Sequence, residues 1–370
     1  MTAYLIAFFC SSLMMKLSDL TKKKYLRVAF VIIAILILSV IAGIRDFNIG
    51  TDVRIYVVPD FLKAKSHMGS FTAFFNDRNN GMELVYMVVQ YLCAMFFKTA
   101  HSTLFVLSLF TNLFIYLGIS SKKLSNFPTW AIWLLYCFLF FNPSLNTMRQ
   151  ALAQAIIFYI FANIEDMKVY KVLIFFVLAM LNHSSAIIGI LIFAIYLLSK
   201  KEFIRRPHFK ILLISLIALI PFLMQKLLSV AISLGVVSSK FALYFTLGTQ
   251  RYIDGQTFML HLFFAILFFL YYMQLQKNQI ESEEAQFYEI LVLLDLLFPL
   301  ISYYLTNRVA MYIALFELLY VPKSISIYSK KNGGQLVVII LALIAAAIYW
   351  YVRFMVLNYN ETFPYKIGLF

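Results

Sequence analysis

Charge is scarce in this sequence. Only 13% of its 370 residues are Asp, Glu, Lys or Arg, against roughly 25% in a soluble protein. That excludes an ordinary water-soluble enzyme, and equally a disordered chain, which depends on polar and charged residues. Cysteine is scarce as well. Cys10, Cys93 and Cys137 all lie in apolar runs without CxxC spacing, so a disulfide scaffold and a thiolate metal centre are excluded. Motifs of soluble catalysts are missing: no P-loop, GxSxG or HExxH, and no DxD pair, since Asp52 and Asp60 stand isolated. Acids number 17 against 31 bases, for a net charge of +14. The bases sit in short clusters between apolar runs, the placement of cytoplasmic loops rather than of a nucleic-acid surface.

What is present is apolar. Hydrophobic residues make up 63% of the chain and the mean hydropathy is +0.85. The segments are apolar all round, which argues against the alternating strands of a membrane barrel. The fold class is therefore all-α: a polytopic membrane protein of one transmembrane domain over 1–370, whose helices satisfy their own backbone in lipid. With about 20 residues per crossing, the expected spans are Ala3–Met15, Val28–Ile44, Met82–Phe97, Thr103–Ile119, Thr129–Phe141, Ala151–Ile164, Val169–Leu198, Lys210–Met224, Thr257–Leu275, Phe287–Leu305, Val309–Val321 and Leu336–Leu357. That gives eleven or twelve crossings, some broken or re-entrant. The first segment lacks a basic start and a small-residue cleavage site, and reads as a retained span.

Basic clusters set the orientation. Lys16, Lys22, Lys23, Lys24 and Arg27 place the first loop inside, as do Lys200, Lys201, Arg205, Arg206 and Lys210 for the central loop and Lys323, Lys330 and Lys331 near the end. The polar stretches at about 45–81 and 225–256 are then extracytoplasmic and are expected to carry short helices. Between Gly81 and Lys200 two counts are open. Val169–Leu198 is a hairpin with His183 at its tip, Lys122/Lys123 and Lys168/Lys171 lie inside, and one earlier segment does not cross. Alternatively it is one long helix, with Lys122/Lys123 outside and Arg149 inside. We favour the hairpin; the short run Thr129–Phe141 and the pair within Met82–Ile119 are the suspects.

Four polar constellations interrupt the apolar pattern. Gly43-Ile44-Arg45-Asp46 leads to Gly50-Thr51-Asp52 and Tyr56, where Arg45 offers a fork for phosphate; an interfacial anchor with a solvated loop is the plainer alternative. Asn146-Thr147-Met148-Arg149-Gln150 follows Asn142-Pro143, a helix stop and restart that puts Arg149 in a first turn, with Ala153 on its face. Arg149 is the lone base between Lys123 and Lys168, so it must face a cavity, a partner or an interface. In Asn182-His183-Ser184-Ser185, His183 is a candidate base near pH 7, with spacing wrong for metal. Asn307-Arg308 precedes Tyr312, with Glu317 beyond. Glu317 and Asp295 are intramembrane acids, functional by default, although Asp295 can be read as neutralising an Arg or binding backbone. His261 ranks below these. Several Arg and one His on the outer side suit a lipid-linked diphosphate, with Arg groups stabilising the departing anion and a base taking a hydroxyl proton.

These motifs, in this order, resemble the EpsG family of bacterial exopolysaccharide proteins, grouped with the Wzy-type O-antigen and capsule polymerases. The matching residues are Arg45 with Gly50-Thr51-Asp52 and Tyr56, Asn146 with Arg149-Gln150 and Ala153, His183 with Ser185-Ala186, Arg308 with Tyr312 and Pro322, and the tail Phe363-Pro364-Tyr365. The resemblance implies a multi-pass enzyme of the bacterial cytoplasmic membrane that joins oligosaccharide repeat units on undecaprenyl diphosphate. His183, Arg149 and Arg308 would be catalytic. Arg45, Asp52, Tyr56, Asn146, Gln150, Tyr312 and Glu317 are the expected substrate-binding set. No cofactor and no metal is implied. Partners would be the lipid-linked oligosaccharide, membrane lipids, and a flippase and a chain-length regulator, with no nucleic acid. The rivals are a flippase for the same lipid, which would also want a basic cavity, and a membrane acyltransferase acting on surface sugars, which would leave the Arg positions unexplained.

Overall fold

A computed structural model describes residues 1–77, 82–233, 254–301, 304–328 and 333–368. It is 81% helical, with no strand among the described residues. Five helices there are long and apolar enough to cross a membrane: α1 (Thr2–Leu20), α2 (Lys24–Gly43), α6 (His101–Ile119), α13 (Gly255–Lys277) and the path Gly334–Val356, which begins as α17 (Gly334–Trp350). Shorter apolar helices include α5 (Leu84–Phe96), α9 (Met148–Ala162), α10 (Val169–Asn182) and α11 (Ile188–Ser199). The chain is thus an all-α polytopic membrane protein. It divides into two compact units, Met1–Ile187 with Leu336–Phe370, and Ile188–Gln335.

The first unit is pinned by polar bonds inside an apolar core, where each unmet donor would be costly. The Trp133 indole donates to Ser11 Oγ at 2.7 Å, and Ser11 Oγ donates to the Ala34 carbonyl at 2.7 Å. Tyr136 donates to Asn112 at 2.7 Å. Trp350 donates to Asn142 Oδ1 at 2.7 Å, and Asn142 Nδ2 to Thr362 Oγ1 at 2.9 Å. At Gly118 on α6 an added Cβ would lie 2.3 Å from the Phe158 ring, so α6 and α9 touch because that position has no side chain.

The two ends of this unit differ in charge. At one end Lys122 pairs with Asp166 at 2.9 Å and Lys123 with Glu165 at 3.1 Å. Asp19, at the end of α1, accepts from the Trp130 amide at 3.4 Å, and Lys16 faces the Trp130 ring at 6.0 Å. The loops after α1, α6 and α9 therefore share one basic end. At the opposite end lie Arg45, Glu83, Arg149 and His183. Two observations answer the open count. Helix α10 stops at Asn182, and His183 is extended (φ −158°, ψ 127°) before a short 3-10 turn over Ser184–Ile187, which rules out one long helix. Lys122/Lys123 share an end with the first loop, as the hairpin count requires.

The segment that does not cross is α5. Its start, Glu83, sits at the distal end against Ser184. Just past its other end, His101 Nδ1 is 2.8 Å from the carbonyl of Gly43, the distal end of α2. Lys65 of α3 (Val58–Ser66) donates to the Lys98 carbonyl at 3.1 Å. Helix α5 buries Tyr86, Met87, Gln90 and Cys93 and exposes Leu84, Leu92, Met95 and Phe96. It is an amphipathic helix at the distal end, with an apolar face suited to the membrane interface.

Residues 45–77 carry three short helical pieces, Val53–Val57, α3 and α4 (Phe71–Asn76); 78–81 lie outside the described residues. One expectation is corrected at Pro143. The helix does not stop there: α7 (Thr129–Tyr136) passes through a π-helical stretch, Cys137–Phe141, into α8 (Asn142–Asn146). Proline has no N–H for an i−4 bond, and the widened turn just before it takes up the mismatch. The real break is Thr147 (φ −86°, ψ 49°), so Arg149 does fall in the first turn of α9.

The second unit contains α11, α12 (Pro207–Ser233), α13, α14 (Glu283–Leu297), α15 (Tyr304–Ala314) and α16 (Glu317–Ile325). Arg205 pairs with Glu281 at 2.6 Å and Lys210 with Glu289 at 2.5 Å, so the loops after α11 and α13 share an end. The stretch expected as a loop from Gln225 is helical as far as Ser233; 234–253 lie outside the described residues.

Candidate active site

The first unit's distal end is built around one ion pair. Arg149 Nη1 lies 2.7 Å from Glu83 Oε2, and both side chains are nearly enclosed, 14% and 15% exposed. Two rings flank the guanidinium, Tyr56 at 4.3 Å and Tyr86 at 5.0 Å from its central carbon, a desolvated cation–π setting. The rings are themselves fixed: Tyr56 donates to Asp52 at 2.6 Å, Tyr86 donates to Asp60 at 3.1 Å, and Gln90 donates to the Tyr86 hydroxyl at 2.6 Å. Met82 Sδ also touches Nη1, at 2.8 Å. The Arg149 Nε is buried and has no hydrogen-bond partner.

Glu83 has a second task. Its Oε1 accepts from the Ser184 amide at 2.9 Å, while Asn182 Nδ2 donates to the Arg149 carbonyl. Burial alone would raise the Glu83 carboxyl, but the Arg149 charge and the Ser184 amide outweigh it and hold it below its ordinary 4.5. Burial pushes the Asp60 carboxyl up against the opposing pull of the Tyr86 hydrogen bond and the Arg149 and Lys63 charges. Burial and the Asp52 charge push the Tyr56 hydroxyl up.

His183 lies beside Glu83. The Ser185 backbone N–H donates to its Nδ1 at 3.1 Å, with Ser185 Oγ 2.7 Å away. A nitrogen that accepts from a backbone amide cannot carry a proton, so the neutral ring is protonated on Nε2. In that tautomer Nδ1, the ring's basic nitrogen, is engaged by Ser185.

Arg45 takes a different part from the anion-holding one expected. It is 0% exposed. Nη2 donates to the Leu145 carbonyl at 2.7 Å, Nε to the Ile49 carbonyl at 3.3 Å, and Nη1 to the Ala42 carbonyl. Burial draws the guanidinium down to about 10. Its fork is spent on three carbonyls and it ties α2 to α8. The neighbouring backbone completes the joint: Asp46 N–H donates to the Lys366 carbonyl at 2.9 Å, Gly50 N–H to the Glu361 carbonyl at 2.9 Å, and Gly368 N–H to the Ile44 carbonyl at 2.9 Å. Gly50 has φ +87°, and a Cβ there would sit 3.0 Å from the Leu145 carbonyl.

Of the expected residues, then, Arg149, Tyr56, Asp52, Asn146 and His183 come together. Asn146 Oδ1 accepts from the Asp52 amide at 3.1 Å. Gln150 is buried on α9 beside them. Arg308, Tyr312 and Glu317 belong to the second unit. Arg308 is half-buried on α15 and Tyr312 is buried. Glu317 is 1% exposed and lies 2.8 Å from His261. Sequence reasoning missed Glu83, Tyr86 and Asp60. One signal was available: Glu83 is the sole acid between Asp77 and Glu165, as Arg149 is the sole base between Lys123 and Lys168, and two lone opposite charges in apolar surroundings find each other.

The helices and the distal Arg–Glu–His cluster define a polytopic membrane protein with a charged polar site at the end away from its basic loops. The chain belongs to the EpsG family, whose family model matches residues 28–367. No curated protein and no solved structure matches the chain.

Proposed function

We propose that this protein is a membrane glycosyltransferase that polymerises oligosaccharide repeat units carried on undecaprenyl diphosphate, at the outer face of a bacterial cytoplasmic membrane. In that reaction a hydroxyl of the acceptor's non-reducing sugar bonds to C1 of the donor's reducing-end sugar. The C1–O bond to the diphosphate breaks, undecaprenyl diphosphate leaves with the electron pair, and the hydroxyl proton passes to a base.

The observation that carries this reading is the state of Arg149. Its position is over-determined by Glu83 and two tyrosine rings, and 14% of its side-chain surface stays exposed at the distal end. A guanidinium so held is a preorganised donor for an anion that gains charge in the transition state. His183, beside Glu83, is assigned as a second donor to the leaving group through Nε2. The Glu83 carboxylate is the site's base. Being held low by Arg149, it accepts a proton late, which suits glycosyl transfer through an oxocarbenium-like transition state. Arg308, in the second unit, is a candidate diphosphate ligand on the family resemblance alone. The positive-inside rule favours the outer face, because the cluster is opposite the basic loops.

The test is the surface polysaccharide of a deletion strain. Single repeat units on the surface carrier, restored to long chains by the wild-type gene, are expected. Loss of all surface-exposed repeats would replace this reading by a flippase.

A further inference from the structure

The second unit buries three ligand-type side chains around one point. His261 comes from α13, Asp295 from α14 and Glu317 from the first residue of α16. Their ligating atoms all lie within 4.8 Å of one another. His261 Nδ1 is 2.8 Å from Glu317 Oε1 and 3.9 Å from Asp295 Oδ2, and the side chains are 7%, 1% and 2% exposed respectively.

Three buried atoms here lack a hydrogen-bond partner: His261 Nδ1, Glu317 Oε1 and Asp295 Oδ1. The imidazole nitrogen and the Glu317 oxygen are close but not aligned as donor and acceptor. Among the described residues no Lys or Arg pairs with either carboxylate. Two carboxylates in an apolar interior need more counter-charge than one imidazole beside them gives, and a divalent cation supplies it while engaging His261 Nδ1 and Glu317 Oε1.

We infer that His261, Asp295 and Glu317 bind one divalent cation of the Zn²⁺ or Mn²⁺ class. Metal bonds of about 2.0–2.2 Å place two ligand atoms from roughly 2.9 Å apart at right angles to about 4.4 Å apart in line; the two distances above fit cis and wider pairs. One imidazole with two carboxylates and no thiolate favours these ions over Cu(I), and the imidazole disfavours Ca²⁺. Tyr320 donates to Asp295 Oδ2 at 3.2 Å, an outer contact of the kind that orients a ligating carboxylate. The ion clamps three helices, two of which are already joined here by the Tyr320–Asp295 hydrogen bond. Sequence spacing cannot show such a site, because its ligands come one from each helix; the reading of no metal is revised for this cluster alone. The inference stands apart from the polymerase reading.

The test uses full-length protein purified in detergent. Elemental analysis, with ZnCl₂ and MnCl₂ supplied separately, should find one ion per chain. Dialysis against EDTA should lower the thermal midpoint by several degrees, and the ion should restore it. Glu317→Gln and His261→Gln should each weaken binding by about a hundredfold or more, by comparison with the 10–100-fold seen for outer-shell changes, in protein that still elutes as a single species. If neither variant folds, the wild-type measurement decides alone. Wild-type protein that takes up no ion at millimolar metal, with a midpoint indifferent to EDTA, overturns the inference; so does unchanged affinity in folded variants.

Discussion

Lysine at position 149 keeps a positive charge and removes a planar fork, so Arg149→Lys separates a clamp from an anchor. In the structure the guanidinium carbon lies 4.3 Å and 5.0 Å from the Tyr56 and Tyr86 ring centres, and Nη1 lies 2.7 Å from Glu83. A lysine ammonium can still reach Glu83 but does not stack in the same way and offers no second directed donor. Loss of the stacking should cost about 1–2 kcal/mol of folded-state stability, a deficit read in membrane abundance. Loss of the contact to the departing diphosphate should cost about 2–4 kcal/mol in the transition state, which at 1.36 kcal/mol per tenfold is a fall of roughly thirty- to a thousandfold in rate. The assay is the polymer ladder on a gel from cells carrying the variant, beside an immunoblot for protein level. The expected result is mostly short chains at near-normal protein level. Arg149→Gln, which drops the charge, should fail as well. A normal ladder from the Lys variant at equal protein level refutes the diphosphate role and leaves Arg149 an anchor for Glu83.

Arg45→Met should act on folding instead: three buried carbonyls lose their donor at about 1–3 kcal/mol each, so immunoblots should show little protein while whatever inserts makes chains of ordinary length. Gly118→Val should lower the thermal midpoint, since overpacking against Phe158 costs about 1–3 kcal/mol. The Glu83 carboxyl is held below 4.5 in the fold, so its ion pair stabilises the protein above that pH and the benefit disappears as pH falls through the lowered value. Wild type should therefore lose its advantage in thermal midpoint over Glu83→Gln on that acid side; an advantage undiminished by acid would contradict the pairing. In a background without native cysteines, Lys98→Cys and Ser184→Cys should react with an impermeant maleimide on intact cells, whereas Lys122→Cys should react only after permeabilisation. Protection of Lys98→Cys would mean that α5 crosses.

The helical class was open to reading because the spans are apolar on every side. The break at His183 was legible because Asn, His and two Ser interrupt an otherwise unbroken run. The place of Arg149 in a first turn was reached through Asn142-Pro143, although the break itself lies four residues later at Thr147. The status of α5 was not. Leu84–Phe96 is as apolar as a crossing helix, and hydropathy does not distinguish lipid from the protein face that receives Tyr86, Met87 and Gln90. Arg45 misled for a related reason. A Gly-rich turn with an arginine looks alike whether the fork meets a phosphate or three carbonyls, and those carbonyls come from residues as far away as Leu145. The His261 cluster was invisible because each helix contributes a single ligand.

The joint around Arg45 also has a history in time. Residues 1–187 emerge from the ribosome first, yet Thr362, Lys366 and Gly368 close that unit by bonding to Asn142, Asp46 and Ile44. Trp350 fills the space beside Tyr4 and Phe8. All of Ile188–Gln335 must be synthesised in between. Until then Asn142 lacks two of its partners and Gly50 has no acceptor at Glu361. The loop that carries Asp52 and Tyr56 toward Arg149 is therefore set only after translation has passed both units. In a chain made only as far as Gln335 these bonds are missing, so the segment that holds the Asp52–Tyr56 loop in place is the last to arrive.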